Sequence, residues 1–215
     1  MWWIALAGQL SNAVPVGLRS PDVRAVFTFN DMPVYVQAAG ITRFVLTRLT
    51  VGPDGNLQDC AAERPSGDGQ LDAYTCRIFS KRAKKFQPAK WVDGSATYGV
   101  LSVPVTWAIG GVPSKHDLER AYPPDMELSV NRLPRGADEG TYVPLVIAVD
   151  ESGRVVGCSQ FQPTSKSVHA KTFPELVPIA CDLLVRQFTA IPAKDASGKP
   201  VQSVQNASVV FRTGG

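Results

Sequence analysis

Between Thr42 and Val51 the chain alternates, with Arg43, Val45, Thr47, Leu49 and Val51 on one side and Phe44, Leu46, Arg48 and Thr50 on the other. This is the period-two pattern of a β-strand. Gly52-Pro53-Asp54-Gly55 supplies a turn, in which Pro fixes φ and Gly takes left-handed backbone, and a second strand is expected from Asn56 to about Glu63. Beyond the loop at Arg64 to Gly69 the period lengthens. Leu71, Tyr74 and Ile78 recur at helical spacing, as do Cys76, Phe79, Ala83 and Phe86, and together they make one broad apolar face. Asp68 stands where it can cap this helix and Pro88 where it can end it. Thr97 to Ile109 reads as a third strand. Its Pro104 cannot donate a ladder hydrogen bond, which places the strand at an edge, at least locally. Upstream, Val26-Phe27-Thr28-Phe29 is a short strand-like run stopped by Pro33, and Val34 to Ala39 suits a brief helix ended by Gly40.

The same order then recurs. Tyr142 to Val149 and Arg154 to Phe161 read as strands around a turn at Glu151-Ser152-Gly153, followed by a longer loop, Gln162 to Lys171. Leu176, Ala180, Leu184 and Phe188 give a helical stripe behind Thr172 and Glu175, which resemble a capping box, and the last strand spans Val201 to Arg212. Individual residues repeat as well. Val51, Gly55 and Cys60 are answered 98 positions later by Val149, Gly153 and Cys158, and Leu71 with Cys76 by Leu176 with Cys181. Pro88-Ala89-Lys90 and Gly94 match Pro192-Ala193-Lys194 and Gly198, and Trp107 matches Phe211 at the same offset of 104. A repeat of this kind sets the architecture. The expected fold is α+β: two tandem small domains, residues 21–110 and 141–215, each a short antiparallel sheet with a helix packed on one face. Residues 111–140 form the joint, with a helical turn from His116 to Ala121 and a short strand from Met126 to Val130.

Composition narrows the function. With 44% hydrophobic and 19% charged residues the chain is globular rather than disordered. A net charge of +3, whose one dense run is Lys81-Arg82-Ala83-Lys84-Lys85, gives no basic surface of the kind a nucleic-acid binder needs; that run reads as the solvated face of a helix. No stretch is long enough for a transmembrane helix. The short apolar start, Met1 to Ala7, resembles a truncated export signal ending in Ala5-Leu6-Ala7. The four cysteines fall at repeat-equivalent places, so pairing Cys60 with Cys76 and Cys158 with Cys181 is the simplest arrangement, with four buried thiols as the alternative. Disulfides would put the chain in an oxidising compartment.

Val51-Gly52-Pro53-Asp54-Gly55, Ser66-Gly67, Leu71-Asp72, Phe86-Gln87-Pro88-Ala89, Gly94 and Pro104-Val105-Thr106-Trp107, with Asp31-Met32-Pro33 upstream, resemble the TonB energy-transducer C-terminal domain. The resemblance covers residues 31 to 109 and, more weakly, 140 to 212, where Ser152-Gly153 replaces Asp-Gly. The cysteine pair in each copy resembles a cysteine-bearing subset of that family. The resemblance implies a TonB C-terminal-like fold and a periplasmic domain that grips an extended peptide, such as an outer-membrane receptor segment, by adding it as a strand to a sheet edge. Transferred here, the implied edges carry Tyr98, Val100, Leu101, Ser102, Val103 and Val105 in the first copy and Val204 and Val209 in the second. Trp91 and Tyr98, which lack repeat partners, are further recognition candidates, whereas Trp107 reads as core.

Catalysis needs a nucleophile beside a base, paired carboxylates or a metal set, and no such grouping stands out. His116 next to Asp117 and the isolated His169 read as surface residues, and no cofactor or metal is expected. The expectation is a non-catalytic binding module whose partner is an outer-membrane receptor segment or another envelope protein. The alternative is a structural envelope protein whose copies pair with each other or with another chain, including as a homodimer.

Overall fold

The structure, a computed structural model, describes residues 15–17, 26–83, 86–109, 114–161 and 173–214. The export-like start, Lys84, Lys85, His169, Thr172 and the loop from Gln162 to Lys171 lie outside the described residues. The chain is α+β. Helix α1 (Val34–Ala39) leads into the hairpin β1 (Arg43–Val51) and β2 (Leu57–Arg64), then α2 (Gly69–Arg82), β3 (Ala89–Lys90) and β4 (Ala96–Trp107). The joint holds α3 (Lys115–Ala121) and β5 (Met126–Val130). The second copy follows as β6 (Thr141–Val149), β7 (Val155–Gln160), α4 (Val177–Gln187), β8 (Ala193–Lys194), β9 (Pro200–Val201) and β10 (Ser203–Thr213).

The two copies share one sheet of eight strands, in the order β2-β1-β4-β10-β6-β7, with β3 added to β4 and β5 added to β10. Within each copy the main strands are antiparallel. At the seam, Tyr98–Val100 of β4 and Ser203–Gln205 of β10 run parallel. Partner residues in neighbouring strands share a face, and successive residues alternate faces. Odd-numbered Val45, Leu49, Val103, Val105 and Trp107 pack with Leu71, Ile78 and Phe79 of α2. Odd-numbered Leu145, Ile147, Val209 and Phe211 pack with Ala180 and Leu184 of α4. The seam sets Gly99 against Val204, odd against even. It therefore turns the second copy over, and α2 and α4 lie on opposite faces of the sheet. Even-numbered Val146 and Val204 accordingly join the core beneath α2.

Local chemistry places each helix. The Asp68 carboxylate accepts hydrogen bonds from the Gln70 and Leu71 N–H groups at 3.0 and 3.2 Å, capping α2 as its sequence position suggested. The helix stops at Arg82 rather than continuing towards Pro88, because Phe86 must leave it: the Phe86 N–H donates to the Gly55 carbonyl at 3.1 Å. The second copy repeats this contact with Ala190 N–H and the Gly153 carbonyl at 2.9 Å. Both glycines have positive φ, and a Cβ on either would lie 2.4 Å from the opposing carbonyl oxygen. This double requirement explains why Gly survives in both turns although Asp-Gly became Ser-Gly. Fully burying Phe79, Leu71, Leu145 and Leu184 contributes about 1.5–3 kcal/mol each.

Further expectations change. The copies do not keep a separate antiparallel sheet each, because β4 and β10 pair and join them into one mixed sheet. The strand-like run Val26–Phe29 does not enter the sheet; a 3-10 turn, Phe29–Asp31, takes the chain aside. The joint is more than a connector, since β5 pairs with β10 from Val209 to Thr213. Both disulfides are present, Cys60–Cys76 and Cys158–Cys181, and no described cysteine is free. Each ties a helix to the second strand of its hairpin, and the pair fits an oxidising, extracytoplasmic compartment. No described helix is long and apolar enough to cross a membrane.

The loops closed by the disulfides span 16 and 23 residues, each corresponding to about 3 kcal/mol in the chain-entropy account. Replacing Cys60 and Cys76 together by Ala is expected to lower the unfolding free energy by about that amount, read from urea transitions. Gly153→Ala, which forces a Cβ onto the Ala190 carbonyl, is expected to cost more than the ~1 kcal/mol typical of a point substitution.

Candidate functional site

Beyond Val100, β4 and β10 diverge. β4 keeps β1 along one side to Trp107, and among the described residues no strand pairs with its other side from Leu101 onward. The direction of its polar groups follows from neighbouring bonds. Gly140 N–H donates to the Phe211 carbonyl, on the β6 side, whereas Ser208 N–H points away from β6 and donates to the Asp125 carboxylate at 2.8 Å. Odd positions of β10 therefore bond inward and even positions outward. In β4 the Val103 carbonyl accepts from Thr47 Oγ1 of β1 at 2.8 Å, so the same alternation holds. The open edge thus presents the N–H and C=O of Ser102 and Thr106 and the C=O of Pro104.

A groove of about 430 Å³ runs along this edge on the α2 face, between Phe27, Thr28, Phe29 and Met32 on one wall and Val103 to Trp107 on the other. The outer wall is anchored. Phe27 meets Phe79 and Trp107 edge-on, with centroids 5.0 and 5.6 Å away, and the indole N–H of Trp107 donates to Thr75 Oγ1 at 3.1 Å. Arg82 donates to both carboxylate oxygens of Asp31, one at 2.8 Å, and to the Val26 carbonyl at 3.0 Å. Asp31 also accepts from the N–H and hydroxyl of Thr28 at 2.7 and 2.8 Å. The Arg82 hydrogen bonds, reinforced by those from Thr28 and opposed by burial, hold the Asp31 carboxyl far below the ordinary carboxylate range.

On the opposite side lies a larger cavity, about 730 Å³, in the fork between the strands. Leu46, Ser102 and Pro104 line one side, Tyr142, Pro144 and Ser208 the other, and Pro104 borders both cavities. Tyr122 closes its rim, donating to the Val105 carbonyl at 3.0 Å and packing edge-on against Phe44. Asp125 spans towards β10, where it accepts from Ser208 N–H and Oγ–H. Desolvation raises the Asp125 carboxyl against these donors, with the Glu63 charge adding to the rise. Glu63 itself accepts from Ser102 Oγ at 2.7 Å.

The anticipated edge residues separate into two groups. Leu101, Ser102, Val103 and Val105 lie on the open stretch, whereas Tyr98 and Val100 are paired to β10. Val204 and Val209 do not lie on an exposed edge: β10 has β6 along one side and β4 or β5 along the other, and both residues are buried. Trp91 is half-buried against the first core, and Trp107 is core. The Asp117 carboxylate beside His116 accepts from Ser114 N–H and Oγ–H, capping α3 rather than orienting an imidazole. Among the described residues no three His, Cys, Asp or Glu side chains gather as a metal ion requires. Arg82 is exposed, as its basic run implied, and it also holds the groove wall. Its partner stands 51 residues upstream, and only the Asp-Met-Pro motif drew attention to that position.

The depressed Asp31 ionisation stabilises the fold fully above its unfolded-state value, near pH 4, and the contribution is lost as pH falls below that value. Arg82→Met, which leaves the buried carboxylate without its cation, is expected to lower stability at pH 7. The gap from wild type should shrink on acidification below pH 4, as measured by urea unfolding across pH. Compared with known proteins, the chain matches no family model, no curated protein and no solved structure.

Proposed function

We propose that this chain is a non-catalytic protein- or peptide-binding module of the TonB C-terminal type, acting in the periplasm by adding an extended partner segment, such as that of an outer-membrane receptor, to the open edge of β4. The observation that carries this reading is internal. β5 lies parallel on Val209 to Thr213 of β10, and the repeat offset of 104 maps those positions onto Val105 to Ile109. One copy has its edge filled by a strand from the joint, while the equivalent edge of the other carries unpaired main-chain groups between two cavities. An extended segment running parallel to β4, as β5 runs to β10, satisfies those groups. Each such hydrogen bond contributes about 0.5–1.5 kcal/mol net, and immobilising a peptide consumes much of that, so side-chain pockets are needed for useful affinity.

The seam favours a second reading, in which the chain is a structural envelope protein. The copies already pair through β4 and β10, and a second molecule could take the remaining edge and give a homodimer. The two readings separate in one experiment on oxidised full-length chain. Peptides copying the N-terminal boxes of outer-membrane receptors are titrated into isotope-labelled protein, with native mass spectrometry in parallel. The binding reading expects amide shifts centred on Ser102 to Trp107 and one peptide per chain, with affinity reduced at least tenfold by Thr106→Pro, which removes an outward N–H. A dimer that persists through the titration, with no shift on β4, would replace it with the scaffold reading.

A further inference from the structure

The groove on the α2 face specifies what kind of strand the edge takes. Its inner wall carries the odd-numbered side chains of β4, Val103, Val105 and Trp107, and its outer wall carries Phe27, Phe29 and Met32. Phe29, on the lip, is 84% exposed, an arrangement that leaves a large aromatic ring without cover unless something lies against it. Apart from the Phe27–Trp107 contact, the outer wall makes no strand pairing with β4, because Asp31 and Arg82 hold the segment in its 3-10 turn although its residues favour a strand. The groove is therefore a maintained opening with apolar walls.

The equivalent place in the second copy shows an occupant. Met126, Leu128 and Val130 of β5 are half-buried and pack on the core beneath α4, while Glu127 and Ser129 are exposed. In the parallel register Met126 and Leu128 stand opposite Val209 and Phe211, whose repeat equivalents are Val105 and Trp107. A strand on β4 in that register directs every second side chain into the groove. Resting on the strand-addition reading, we propose that the partner is an extended segment with large apolar side chains at alternate positions and polar ones between them. The apolar set is gripped between Phe27, Phe29 and Met32 and the odd-numbered face of β4. Main-chain pairing supplies the direction of binding, and the groove supplies the choice of sequence.

The test uses two synthetic peptides of identical composition and the oxidised full chain. One peptide copies residues 124–131, Pro-Asp-Met-Glu-Leu-Ser-Val-Asn, with alternating apolar residues; in the other the Met, Leu and Val are made consecutive. Binding is followed by the amide shifts of Val103 to Trp107. The alternating peptide is expected to bind at least tenfold more tightly, and Met32→Lys to abolish that preference. Phe29→Ser, at an exposed site where folding is not at stake, should reduce it. Equal affinities for the two peptides, with shifts still on β4, would overturn the groove inference and leave strand addition standing. If neither peptide shifts β4, both fall.

Discussion

Gly99 of β4 stands opposite Val204 of β10, and because side chains repeat every two residues along a strand, this pairing decides which way the second copy faces. The repeat relates Trp107 to Phe211 by 104 positions, while the seam pairs Tyr98 with Ser203, 105 apart. The difference of one residue is a change of face. Had the seam paired equivalent positions, both helices would crowd one side and leave the other side of an eight-stranded sheet bare. As it stands, α2 covers one half from above and α4 the other from below, and the uncovered halves receive loops. Val92 lies over Gly157 on one face. On the other, Arg48 of β1 reaches the Ile191 carbonyl at 2.6 Å, and Gln205 donates to the same oxygen at 3.0 Å.

The seam is short, and its shortness creates the asymmetry. After three paired positions the strands splay, and each is left with outward main-chain groups to satisfy. The second copy resolves much of this internally: Asp125 takes the Ser208 N–H, and β5 pairs with Val209 to Thr213. The first copy does not. The segment ahead of β1 lies beside the edge but is held by a bidentate ion pair in a turn that makes no strand pairing. A charge-assisted pair with two parallel N–H···O bonds is stronger and more directional than the hydrogen bonds of a marginal edge strand, so the turn prevails over a local preference for β structure.

The elements were legible in the sequence because their signals are local. The alternation from Arg43 to Val51, the cap at Asp68 and the stripe Leu71, Ile78, Phe79 each depend on residues within one turn or one strand, and the repeat itself pointed to both disulfides. The arrangement of the copies was not legible. Nothing local to Gly99 or Val204 says that they meet, or with which parity. The ion pair of Arg82 was not legible for a similar reason: its exposed place at a basic helix end says nothing of Asp31, which arrives from a distant turn. The open stretch of β4 was anticipated through Pro104, whereas the closed edge of β10 was not, since β5 is short and belongs to the joint.

Pro104 has one further consequence. It sits midway along the open edge with no N–H to offer, between two strand positions that do have one. A fully equipped, uncovered edge would invite the same edge of another molecule, and sheets joined in that way grow into insoluble aggregates. A gap in the donor row breaks the register such growth requires. A short peptide can still bond on both sides of the gap and place its side chains in the groove. The chain can thus keep a sticky edge exposed without polymerising through it.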